Sequence, residues 1–221
     1  QNMQLNLPYF GAIISNLPFV PFEIIPQDDK DIIAENNLGN DLDERTDLYG
    51  YIIIKLHQLL QPNGMVGVIT SNSWLGTNTG TRLIEAIRNY FFIRQVHISG
   101  CGRWFQNSDV VTTILILSKI EPNAPIPPVY FYKWKQSLAS LEQSEALENL
   151  LVNSILLEQQ EENQATDISR YSVDEITALR QLNISYNAFF HNVDWLLQFR
   201  DNIVPINTIF NVFRGSRRGW D

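Results

Sequence analysis

"DLYGYIIIKLHQLLQPNGMVGVITS", residues 47–71, changes its apolar period part-way along. From Asp47 to about Leu60, Leu48, Tyr51, Ile52, Lys55, Leu56 and Leu59 follow the i, i+3, i+4, i+7 spacing of a helix with one buried face. Asp47 is the expected N-cap and Pro62-Asn63-Gly64 the stop. "MVGVITS", residues 65–71, is short, continuous and β-branched, which predicts a buried strand of a parallel sheet. A helix running directly into such a strand sets the fold class as α/β.

Working outward, residues 10–15 of "FGAIISNLPFVPF" predict a buried strand that ends at the Asn16-Leu17-Pro18-Phe19 corner. A polar loop then leads to the helix at Asp47. Downstream, Thr79 to Phe91 predicts a second helix, and "IRQVHIS" (93–99) and "VVTTILILSK" (110–119) two more strands. The ten residues of "GCGRWFQNSD" between them are too few for a helical crossover, so these strands are expected to be antiparallel neighbours. Beyond the proline-rich break at 122–128, "VYFYKW" (129–134) reads as an edge strand. Leu138 to Glu162 reads as an acidic helix with solvated faces, 163–183 as a linker with a short helix, and Val193 to Asp201 as another helix. "TIFNVFRGSRRGWD" (208–221) reads as a strand entering a Gly-Arg turn.

Composition narrows the function classes. The 221 residues are 44% hydrophobic and 18% charged, which is the balance of a folded globular chain. The apolar runs are far shorter than a membrane span needs, and the chain reads as cytoplasmic with no membrane partner. Cys101 is the single cysteine, so no internal disulfide forms; His57, His97 and His191 lack metal-ligand spacing, and no metal is expected. Net charge is −8, of which residues 121–180 carry −6, so a local basic groove elsewhere is compatible with binding DNA. Arg214, Arg217 and Arg218, on a glycine-bearing turn, are candidate phosphate contacts.

Taken in order, the strand ending in Asn16-Leu17-Pro18-Phe19, "DLYGYIIIKLHQLLQPNGMVGVITSNSWL", "IRQVHIS" and "GRWFQNSDVVTTILILSK" resemble the second half of the S-adenosylmethionine-dependent methyltransferases that make N6-methyladenine in DNA, particularly those of restriction-modification systems. The likeness covers roughly residues 8–120, and "FRGSRRGWD" resembles the entry to their target-recognition domain. It implies a partial Rossmann-like methyltransferase sheet with crossover helices and an antiparallel terminal hairpin, followed by a helical segment. The implied divisions are the C-terminal half of a catalytic domain (1–134), a helical acidic connector (135–203) and the start of a target-recognition domain (204–221).

The family signature is Asp/Asn/Ser-Pro-Pro-Tyr/Phe. Adenine N6 is a poor nucleophile because its lone pair is delocalised into the ring, and acceptors for its two N–H bonds stabilise the transition state. By resemblance, Asn16 supplies the side-chain oxygen, the Leu17 carbonyl the second acceptor, Pro18 the rigid corner, and Phe19 one stacking face for a flipped base. Phe105 matches the aromatic that closes the opposite face, with Trp104 as the alternative. Leu17 departs from the family proline and gives up its fixed φ, at a cost of about 0.4–1 kcal/mol in chain entropy.

The glycine-rich loop and ribose-binding acid that hold S-adenosylmethionine in such folds have no counterpart upstream of Phe10, and "SGCG" (99–102) precedes a strand, not a helix. The chain is therefore expected to be a piece of a longer enzyme, inactive alone, with the donor pocket largely outside it. A non-catalytic module for DNA binding or subunit interaction is the other reading. The edge of the first strand is expected to lie open, with homodimerisation through it as a consequence.

Overall fold

A proline forces extended backbone on the residue before it, so the helix of residues 47–60 has to end ahead of Gln61. In the computed structural model, which describes residues 7–35, 40–105, 110–137, 139–140 and 166–211, it does. The helix α2 (Leu48–Leu56) tightens into a 3-10 turn at His57–Leu59, and strand β2 (Leu60–Ser71) follows at once. Asn63 turns back in the left-handed region at φ 58°, and its N–H donates to the Glu121 carboxylate at 2.9 Å.

The other described elements are β1 (Phe10–Asn16), α1 (Gln27–Glu35), α3 (Asn78–Arg88), β3 (Phe91–Ser99), β4 (Thr112–Lys119), β5 (Val129–Trp134), β6 (Thr166–Tyr171) and α4 (Val173–Gln181). The strands form one mixed sheet in the order β1-β2-β4-β3-β5-β6. β1 runs parallel to β2, and β3 to β5, whereas β4 is antiparallel to both β2 and β3. The expected antiparallel pairing of β3 with β4 holds, and the α/β class with it.

The core lies on one face of this sheet. Val66, Val68 and Thr70 of β2 are fully buried, and they stand opposite Leu117, Leu115 and Thr113 of β4. Leu83, Ile84 and Ile87 of α3 and Ile53 of α2 belong to the same cluster. α3 begins at Thr77, whose hydroxyl accepts from the Gly80 N–H at 3.1 Å. Gly80 has no alternative: a Cβ there would stand 1.8 Å from the carbonyl oxygen of Trp74.

Five expectations are corrected. β1 is not buried: among the described residues it lies at the edge of the sheet, and Ile14 is 90% exposed on the face opposite the core. "VYFYKW" is not an edge strand, because β6 pairs antiparallel outside it; its side chains are buried on both faces, which is why they do not alternate. β6 itself falls in the stretch read as linker, where Asp167, Ser169 and Arg170 mask the strand signal. Val193 to Asp201 forms a 3-10 segment, Asp194–Phe199, in place of an α-helix. Of the strand expected from Thr208, Ile206–Thr208 is a 3-10 turn and 209–211 are not in a strand. Of the expected helix at 138–162 only residues 139–140 are described, and they are helical; the rest of it and the Gly-Arg turn lie outside the described residues.

α4 is closed at its N-terminus by a capping box, in which the Ser172 hydroxyl accepts from the Glu175 N–H while the Glu175 carboxylate accepts from Ser172. Arg180 then reaches from α4 to α3, donating to the Thr81 hydroxyl at 2.7 Å.

Candidate functional site

In open α/β sheets, ligands sit outside the carboxyl ends of the parallel strands. β1 and β2 both end at that side, and the antiparallel β4 begins there, with Ser71 of β2 opposite Thr112 of β4. β3 ends there too, since Ile98 stands opposite Thr113. The Asn16 corner and the loop that carries Trp104 and Phe105 are thereby brought to one end of the sheet.

Asn16 closes β1, in register with Ile69, and is exposed. Leu17 is 5% exposed, within the core cluster, and its backbone N–H donates to the Ile69 carbonyl at 3.3 Å. Pro18 is exposed and Phe19 half-buried. The corner then turns onto the start of α2, where the Leu48 N–H donates to the Val20 carbonyl at 3.0 Å. Phe105 is 37% exposed in its loop and Trp104 half-buried. Arg214, Arg217 and Arg218 lie outside the described residues.

Sequence reasoning missed a hydroxyl cluster at this end. The Ser71 hydroxyl donates to Tyr49 Oη at 3.3 Å and lies 2.7 Å from the Ser73 hydroxyl. Burial raises the Tyr49 pKa, opposed by the hydrogen bonds from Ser71 and Ser73. Tyr49 thus stays a neutral hydroxyl that fixes the turn after β2. Asp47 stands at the N-cap of α2 as expected, with extended backbone, but its side chain accepts no N–H of the helix; burial raises its pKa, against a hydrogen bond from the Phe22 backbone. "TSNS" after a buried run was the available signal, hidden because Ser and Asn also read as ordinary turn residues.

Comparison with known proteins bears directly on this end of the sheet. Residues 6–105 match the model of the Eco57I restriction-modification methylases. The methylase match therefore takes in β1, α2, β2, α3 and β3 and reaches Phe105. A type II methyltransferase, M.BanIII of Aneurinibacillus aneurinilyticus, is 28% identical over 122 residues, 55% of this chain and 20% of that protein. The chain thus spans about a fifth of the length of this curated relative.

Solved structures support the fold. The methyltransferase subunit of a type I restriction-modification system from Streptococcus thermophilus superposes with a TM-score of 0.58 at 15% identity, covering 86% of this chain and 39% of that one. The type IIG restriction endonuclease BpuSI gives 0.59 at 13% identity, over 80% of this chain and 20% of its own. A Listeria monocytogenes protein assigned to the class I S-adenosylmethionine-dependent methyltransferases gives 0.51 at 18% identity, over 68% of this chain and 43% of that one. The sheet of this chain is a methyltransferase-like sheet.

The described residues do not fit a methyl-donor cradle. The glycine with positive φ among them, Gly102 at 92°, lies in the loop between β3 and β4, not in a turn from strand to helix. No strand precedes β1 on its free edge among the described residues. Groups of three or more His, Cys, Asp or Glu side chains able to hold a metal are absent among the described residues.

Proposed function

We propose that this chain is the acceptor-side part of a longer DNA methyltransferase of restriction-modification type, which methylates N6 of an adenine flipped out of the duplex. The observation that carries the reading is the position of Asn16-Leu17-Pro18-Phe19 at the carboxyl end of β1, at the same end of the sheet as the Phe105 loop. Asn16, exposed at that end, offers an amide oxygen to one N6–H, and the Leu17 carbonyl offers the second acceptor. Phe19 and Phe105 hold the two faces of the base. Arg214, Arg217 and Arg218 contact the phosphates. S-adenosylmethionine is the methyl donor, held by polypeptide beyond this chain, so the isolated chain does not turn over.

In this reading residues 1–134 are the C-terminal half of the catalytic domain, 135–203 the connector, and 204–221 the start of the target-recognition domain. One observation favours a non-catalytic module instead: the corner is built around a hydrogen-bonded, buried Leu17 where the family signature has proline.

The test is transfer of label from S-adenosylmethionine to mixed-sequence duplex DNA by the longer protein, beside an Asn16→Ala variant. Labelled N6-methyladenine that falls by at least about 100-fold in the variant supports catalysis at this corner. Absence of label in the wild type, with DNA binding retained, leaves the module reading.

A further inference from the structure

The Asn16-Leu17-Pro18-Phe19 corner is tied on both of its sides. Ahead of it, Asn16 is in register with Ile69, and the Leu17 N–H donates to the Ile69 carbonyl at 3.3 Å. Behind it, the Val20 carbonyl accepts from the Leu48 N–H at 3.0 Å. Leu48 is the first residue of α2, where N–H groups have no partner inside the helix, so this donor is one that α2 can spare. Between the two ties stand Pro18, whose ring fixes φ, and Phe19.

Asp47 adds a third bond on the far side. It stands at the N-cap of α2 with φ −61° and ψ 155°, yet its side chain accepts from no N–H of that helix. Its carboxylate accepts instead from the backbone of Phe22, the first residue of the 3-10 turn Phe22–Ile24. That turn is closed by the Ile24 N–H on the Pro21 carbonyl at 3.1 Å and the Ile25 N–H on the Phe22 carbonyl at 3.2 Å, and Ile25 is buried. α1 takes part as well, with Lys30 Nζ 4.4 Å from the centre of the Phe22 ring. An aspartate at an N-cap ordinarily stabilises its own helix. Here it is turned on the segment that leaves the corner.

The three bonds bear on the residue in which the corner departs from the family signature. A proline at position 17 fixes φ but has no N–H for Ile69. Leu17 keeps that donor and buries its side chain. We propose that Asp47 and Leu48 are positioning residues for Asn16 and Phe19, holding the far side of the corner as Ile69 holds the near side, so that this clamp supplies the preorganisation that the family draws from a second proline. This rests on the roles given to Asn16 and Phe19 under Proposed function.

The experiment has two arms. Proline is well tolerated as the first residue of a helix, and Asp47 already has the extended backbone that a following proline requires, so Leu48→Pro removes the N–H to Val20 and leaves α2 able to form. Leu48→Ala, which loses the side chain but keeps the N–H, is its reference. On the chain itself, amide hydrogen exchange is read residue by residue. Exchange at Leu17 and Phe22 about tenfold faster in Leu48→Pro than in Leu48→Ala is expected, with the amides of Ile52 to Leu56 alike in both. Exchange at Phe22 is expected to quicken in Asp47→Ala and to recover in Asp47→Asn, which keeps an acceptor oxygen. Equal exchange at Leu17 and Phe22 in the two Leu48 variants overturns the clamp. If Leu48→Pro does not fold, the alanine and asparagine variants of Asp47 decide the matter at Phe22 in the same way.

On the longer protein, methyl transfer is measured for the same variants, alone and in an Asn16→Ala background. A kcat about tenfold lower in Leu48→Pro than in Leu48→Ala, with KM for DNA little changed, is expected, because a displaced acceptor is felt in the transition state. In the Asn16→Ala background the same step should cost clearly less, since the acceptor it aligns is already gone. Additive losses overturn the positioning role. A wild type without transfer defeats the functional reading and the positioning role with it, while the exchange arm still decides whether the corner is clamped.

Discussion

The backbone N–H of Leu17 donates to the carbonyl of Ile69 at 3.3 Å, one step beyond the last register pair of β1 and β2. A proline at this position has no N–H to give, and the Leu17 side chain is packed in the core. Substitution to proline therefore gains chain rigidity but loses a ladder bond and a buried side chain. Leu17→Pro is expected to destabilise the fold by about 2 kcal/mol, read from urea unfolding midpoints. An unchanged or raised midpoint would show that the corner tolerates the family residue without cost.

His97 gives the fold an acid sensitivity. It is buried, stacked on Tyr132 with ring centroids 4.5 Å apart, accepts from Trp134 Nε1 at Nδ1 and pairs through Nε2 with Gln95. Burial lowers its pKa from 6.5 to about 3. The folded state thus refuses a proton that the unfolded chain takes up below about pH 6.5, so stability is intact above that value and falls as the pH drops toward 3. Between pH 7 and pH 5 the loss from this group is about 2 kcal/mol. Urea unfolding at the two pH values checks this, and His97→Gln should flatten the difference.

Gly80 is a residue the fold cannot exchange. The 1.8 Å approach of a Cβ to the Trp74 carbonyl would push the first turn of α3 away from the 3-10 turn at Ser73–Gly76. Gly80→Ala should cost about 3 kcal/mol despite the better helix propensity of alanine. Thermal unfolding of the variant measures it, and a neutral result would mean that α3 slides without penalty.

The open edge of β1 leads to an association prediction. Ile14 is 90% exposed, Tyr9 65% and Phe10 37%, along a strand whose outer hydrogen-bonding groups face no neighbouring strand among the described residues. We expect the isolated chain to form dimers at high concentration through this edge. Light scattering coupled to size exclusion should record them, and Ile14→Lys should return the chain to monomer. A wild-type chain that stays monomeric throughout defeats the prediction.

Much of the fold was legible because its helices and inner strands carry clean periods. Val66 and Val68 announce β2, and the short connection before Val110 announces the antiparallel turn into β4. The errors share one cause: burial depends on partners far away in sequence. Ile13 and Ile14 look buried by composition, yet β1 is the last strand of the described sheet. Residues 129–134 look like an edge because they follow the proline-rich break, yet β6 pairs outside them. In the site, the Asn16 corner was legible as a motif, whereas the tie from Gly100 to Trp134 joins segments 34 residues apart and leaves no local trace.

β4 also dictates the order in which the sheet can assemble. It lies between β2 and β3 although it follows both in the chain, so β2 and β3 have no partner in common until residues 112–119 arrive. On a ribosome β2 emerges with only β1 beside it and β3 with no strand partner, and a single later segment joins them. The two halves of the sheet are thus joined only when β4 appears, before β5 and β6 extend it, and the interval before that is when the nascent chain is most exposed to wrong pairing.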